Sequence, residues 1–153
     1  MAITFNAETI PSLTQNQIKS ASVTQISSLS AEDVAGFSTA QIRYLSPQQV
    51  GALSTAAIKA LSVNQISALT NVQIKALTSA QISAIEIEDL SSLNSTQIAS
   101  LSSGVISSLT TEQIVSLSAS QIGGLNADLI SRLNSSQIAA LEEGQITALS
   151  SPQ

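Results

Sequence analysis

An apolar pair returns every eight residues along almost the whole chain. Ile, Val or Leu stands at 10, 18, 26, 34 and onward to 146, and a second apolar residue follows three places later, at 13, 21, 29, 37 and onward to 149. The pair recurs 18 times over residues 6–149 without an insertion or a deletion. A chain this regular leaves no room for an irregular active-site loop. It reads as a one-dimensional array whose units pack on their neighbours.

The octads are numbered from octad 1 (6–13) to octad 18 (142–149). Octad 5 reads Ser38, Thr39, Ala40, Gln41, Ile42, Arg43, Tyr44, Leu45. Its first place is Ser, Thr or Asn in nearly every unit, with Glu86 and Glu142 as exceptions, and its fourth is Gln in 12 of the 18. This is the spacing of a capping box: a Ser or Thr hydroxyl takes the N3 backbone N–H, and the N3 glutamine reaches back to the N-cap N–H. Ser22, Ser38, Ser46, Ser54, Ser62 and Thr70 are the clearest caps, and Gln25, Gln41, Gln49, Gln65 and Gln73 the clearest capping glutamines. The Leu before each cap and the Ile after it have the spacing of a hydrophobic staple, so Ile42, Leu45, Ile58, Leu61, Ile66 and Leu69 are expected in the core. Pro47 falls at N1, where a missing N–H costs nothing, whereas Pro11 interrupts the first unit.

A single long helix cannot carry this pattern. Eight residues advance roughly 800°, so the apolar pair would drift about 80° per repeat and no seam would persist. The reading is therefore all-α: a solenoid of very short capped helices, one per octad. A parallel β-solenoid with corners between the two apolar places is the alternative. Its usual β-branched runs and Gly or Asn corners are replaced here by Ala, Ser and Gln.

The fourth place carries a second period. Gln is replaced at Thr9, Asp33, Ala57, Asp89, Val105 and Leu129, and all of these but Asp89 lie on a 24-residue grid; only Gln81 keeps glutamine on that grid. Three octads per superhelical turn would stack these positions in one row, part of which, at Ala57, Val105 and Leu129, would be drier than the other two rows. At a helix diameter of about 10 Å per turn, six turns make a rod about 50–60 Å long. Small residues at the seventh place let neighbouring turns approach. Tyr44 and Arg132 break that rule and are expected to point outward. Ile66→Ala is expected to cost about 2–5 kcal/mol through a cavity, and Gln65→Ala much less.

Chemistry is scarce. The chain has no His and no Cys, and no nucleophile motif, phosphate loop or zinc spacing occurs. No enzyme, metal or cofactor is expected. With 5 basic residues scattered, 2% aromatics and a formal net charge of -5, nucleic-acid binding is not expected either. No segment reaches 18 apolar residues, so no membrane span is expected, and residues 1–5 do not form a classical signal peptide. The acidic residues Glu32, Asp33, Glu88, Asp89, Glu112 and Asp128 sit at N2 or N3, where carboxylates favour the helix dipole. Phe37, Arg43 and Tyr44 form the one grouped exception; Phe37 is expected in the core, which leaves Arg43 and Tyr44 as the candidate binding pair, and what they would bind is unknown.

Residues 1–5 read as a lead-in or cap, 6–149 as a single solenoid domain, and 150–153 (Ser, Ser, Pro, Gln) as the start of a further unit or a truncated end. The array is therefore expected to be open at its C-terminal end, either stacking end to end on a second copy or continuing into more repeats of a larger protein.

The unit at 61–69, and that at 53–61 with Ala57 in the glutamine place, resembles the Leu-Ser/Thr-x-x-Gln-Ile/Val tandem arrays of very large bacterial surface or secreted proteins, often labelled haemolysin- or adhesin-like. The resemblance spans residues 6–149 and implies export and a cell-surface or extracellular role as part of a larger protein. One octad is also similar to the opening of the DNA-binding repeat of plant-pathogen effectors, but the second helix and the base-reading pair of that repeat are lacking. The expected function is a rigid spacer, stalk or self-associating scaffold. Alternatives are a protein- or glycan-binding repeat module and an ice- or surface-binding protein.

Overall fold

A computed structural model describes residues 4–153; Met1–Ile3, part of the expected lead-in, lie outside the described residues. Among the described residues there are sixteen α-helices of four to six residues, from Gln15–Ser20 to Glu143–Thr147, two 3-10 turns and no strand. The fold is an all-α solenoid, and the β-solenoid alternative is excluded.

Local geometry explains the beat. In octad 9 the cap residue Thr70 is extended (φ -75°, ψ 158°), the helix runs Asn71–Lys75, and Ala76 is its last right-handed residue (φ -87°, ψ -7°). The eighth and first places of successive octads are both extended, and this two-residue link redirects the chain into the next helix. No described residue adopts positive φ, so the array turns without left-handed glycine caps.

Two octads depart from the expected helix. In octad 1 Pro11 lacks an N–H and the unit tightens into a 3-10 turn at Ile10–Ser12. In octad 13 Gly104 and Val105 stand where a helix former and the capping glutamine would be, and only the 3-10 turn Ile106–Ser108 forms.

Helix pairs in substantial contact stand three octads apart: Val23–Ser27 with Pro47–Ala52, Val63–Ser67 with Ile87–Ser92, Ala119–Gly123 with Glu143–Thr147. The superhelical turn is therefore 24 residues. Adjacent turns meet through the sixth place of one octad and the seventh of the octad above it. Ser83 Oγ donates to the Ser108 carbonyl at 2.7 Å there. At the equivalent Gly51 a Cβ would lie 2.9 Å from the Ala76 carbonyl oxygen, so glycine permits the closest approach.

The fifth and eighth places fill the interior. Ile42, Ile58 and Ile66 are 0% exposed, and Leu45, Leu61 and Leu69 are 3% exposed. Ala57, Val105 and Leu129, which replace glutamine on the 24-residue grid, are buried too. Arg132 is exposed. Tyr44 departs from the expectation that it escapes outward: its ring is half-buried and packs against the core, since a phenol can bury its face and leave only the hydroxyl wet.

Candidate functional site

The most developed polar feature of the molecule is the set of fourth-place glutamines. Each caps its own helix as a capping box. Gln73 Oε1 accepts the Thr70 N–H at 2.8 Å, while the Thr70 hydroxyl accepts the Gln73 N–H at 3.4 Å. Ser22, Ser38, Ser46, Ser54 and Ser62 accept the N3 N–H in the same way. Gln25, Gln41, Gln49 and Gln65 receive the cap N–H. The cap at Ser54 has no reciprocal partner, because Ala57 fills the glutamine place.

The amide nitrogen does something the local spacing does not reveal. Gln73 Nε2 donates to the carbonyls of Ile42 and Leu45, both at 2.8 Å. Those are the fifth and eighth places of octad 5, four octads earlier, at the C-terminal end of a helix in the preceding turn. Gln49 reaches Ile18 and Ala21, Gln81 reaches Val50 and Leu53, and Gln113 reaches Ile82 and Ile85 in the same way. One side chain thus satisfies the N-terminus of its own helix and the C-terminus of another. Carbonyls that a left-handed glycine cap would otherwise serve are taken by an amide from the next turn. These glutamines are buried; Gln73 is 2% exposed and Gln137 1%. Gln153 repeats the pattern, its Oε1 taking the Ser150 N–H and its Nε2 donating to the Gly123 and Leu125 carbonyls.

The bracket gives the rod a direction. Glutamine amides look toward the N-terminal end, and fifth-place Ile side chains are covered by the turn that follows. Every fifth-place residue from Ile10 to Ile122 is 0% exposed, but Ile138 is 44% and Ile146 53% exposed, where no described turn follows. Leu141 and Leu149 beside them are half-buried.

Reactive chemistry is thin. Among the described residues no three His, Cys, Asp or Glu side chains gather to hold a metal, and no helix is long and apolar enough to cross a membrane. The candidate binding pair is split. Arg43 is exposed and lines an open groove with Thr70, Asn71 and Asn94, whereas Tyr44 packs against the core. Asp33, on the glutamine grid, keeps the bracket in acidic form. Its Oδ2 accepts the Ser30 N–H at 2.9 Å and the Ser30 hydroxyl at 2.8 Å, and its Oδ1 accepts the Ala7 N–H at 2.8 Å. The Ser30 N–H first, then the Ser30 hydroxyl and the Ala7 N–H, hold this carboxyl below the usual carboxylate range.

A family model for the ALTTAQ repeat matches residues 26–63, 45–79 and 82–119, more than half of the chain in all. No curated protein matches it.

Proposed function

The chain belongs to the ALTTAQ repeat family, and from that premise we propose that it is a non-enzymatic scaffold: a rigid solenoid domain over residues 6–149 that extends by adding turns to its C-terminal face. Its setting is a bacterial surface or secreted protein of larger size, in which the rod acts as a spacer or stalk. The observation that carries the reading is the directional pair of ends. Ile138 and Ile146 stand exposed where inner counterparts are fully covered. The glutamine register that covers an inner turn is the one a further turn would use. The turn that completes the last one comes from more repeats of the same kind or from a second copy joined head to tail, a heterologous contact that forms open filaments rather than closed dimers.

Light scattering on the size-fractionated chain across concentration tests this. Mass should grow with concentration and stay monomeric for an Ile138→Ser/Ile146→Ser double variant. Appending three consensus octads should move the exposed face to the new end and raise resistance to urea. A chain that stays monomeric, and gains nothing from the added octads, overturns the proposal. Arg43 stands in a groove and gives a recognition role one residue to work with, but the separation of Tyr44 from it favours the scaffold.

A further inference from the structure

Octad 11 breaks the bracket differently from the other octads. Glu86 stands at the cap without a side-chain capping bond, and Asp89 fills the glutamine place. Unlike Asp33, Asp89 is 6% exposed and, among the described residues, its carboxyl accepts no hydrogen bond. Glutamines in this place reach carbonyls 28 and 31 residues back. Counted by that register, the positions 28 and 31 residues before Asp89 are Leu61 and Ile58; Ile58 O keeps the Leu61 N–H at 3.2 Å, and Leu61 O receives no donor among the described residues. An ionised carboxylate only accepts hydrogen bonds, so it cannot serve another acceptor; a neutral carboxyl has an O–H to donate.

The surrounding charges oppose ionisation. Glu86 and Glu88 share the octad. Ile87–Ser92 packs against Val63–Ser67, which brings no charge, and against Thr111–Ser116, which brings Glu112. Lys59 is the single cation in the open groove that Glu86, Glu88 and Glu112 also line.

We propose that octad 11 is an acid-stabilised joint in the rod, in which neutral Asp89 donates its proton toward the Leu61 and Ile58 carbonyls as the glutamine amide does elsewhere, and in which ionisation removes that donor and loosens the packing of octads 7 and 8 against octad 11. Burial first, then the Glu86 and Glu88 charges, raises the Asp89 carboxyl above its ordinary value of 3.8. A carboxyl raised in the folded state contributes stability that is complete below the unfolded value and is lost as pH rises through the folded value. Asp33 has the opposite sign: its contribution is present above the ordinary value and lost as pH falls through its depressed folded value.

The test compares the full chain with Asp89→Asn and Asp89→Gln from about pH 3 to about pH 8, so that Asp33, common to all three, cancels. Urea midpoints of native and variants should converge at the acid end. They should separate as pH rises, with Asp89→Gln the most resistant. Amide exchange at 86–93 in the native chain should speed several-fold over the same interval and stay flat in Asp89→Gln. A difference that does not change with pH overturns the proposal. So does an Asp89 carboxyl carbon that titrates, by NMR in the native chain, at or below the ordinary value; that measurement decides even if a variant does not fold.

Discussion

The first and last turns of the rod carry the same octad and are buried differently. Ile10, Ile18 and Ile26 are 0% exposed with no described turn before them, while Ile138 and Ile146, with no described turn after them, are about half exposed. Glutamine shows the mirror image: Gln137 and Gln145 are buried in the last turns, and Gln17 near the start is half-buried. Each octad therefore depends on different neighbours for its two halves. Its capping glutamine needs the turn before, and its core Ile needs the turn after. Stability in such an array resides in the seams between turns.

The largest expected effect tests that statement with one side chain at two heights. Ile66→Ala in a middle turn should cost about 2–5 kcal/mol, because the site is closed on every side and collapses only in part. Ile146→Ala, 53% exposed, should cost a small fraction of that. Urea denaturation of both variants measures the gap. Equal costs would mean that burial follows octad position alone and that the rod has no direction.

The glutamine pair comes next, and here the structure revises the expectation that Gln65→Ala is mild. Gln65 Oε1 takes the Ser62 N–H at 2.8 Å, and its Nε2 donates to Val34 O at 3.2 Å and Phe37 O at 2.7 Å. Val34 O keeps a second donor, the Phe37 N–H at 3.2 Å. Truncation thus strands one buried carbonyl, that of Phe37, at about 1–3 kcal/mol, and frees the N–H of exposed Ser62, which water can take. Gln17→Ala loses only the local box with Thr14, worth about 1 kcal/mol. A Gln65 variant no weaker than the Gln17 variant would show that the inter-turn bonds add nothing.

Those two results also mark how far the sequence could be read. The capping box, the inward Ile and Leu and the 24-residue turn were legible, because each is a spacing between side chains on one short stretch. The second hand of Gln65 was not. Its partners are backbone carbonyls 28 and 31 residues away, and a carbonyl leaves no trace in residue identity. The direction of the rod was hidden for the same reason: covering Ile66 is the work of octads elsewhere in the chain. Octad 13 did leave a signal, since Gly104 and Val105 supply neither helix propensity nor a capping amide, yet the regular beat around it masked the loss of the helix. Tyr44 is half-buried and packs against the core, which the run of small residues at the seventh place of other octads does not reveal.

The smallest effect separates the seam-facing place of an octad from an open one through glycine. A Cβ on Gly51 would meet the Ala76 carbonyl oxygen at 2.9 Å, and one on Gly144 would meet nothing within 4 Å. Most octads carry a Cβ at the sixth place, among them Lys59, Ser67 and Lys75, so the seam around Gly51 can widen. Gly51→Ala should therefore fall near the low end of the overpacking range, about 1 kcal/mol destabilising. Gly144→Ala, in the open first turn of Glu143–Thr147, should stabilise by up to about 0.5–1 kcal/mol through helix propensity. The opposite signs, read from thermal midpoints, follow from the glycine's place in its octad: the sixth place faces the carbonyl of the octad above, and the third does not. If three further octads are appended so that the last turn is covered, the benefit at Gly144 should persist, since the third place of an octad does not face the seam that Gly51 occupies: Gly104, at the third place of an inner octad, also has nothing within 4 Å of an added Cβ.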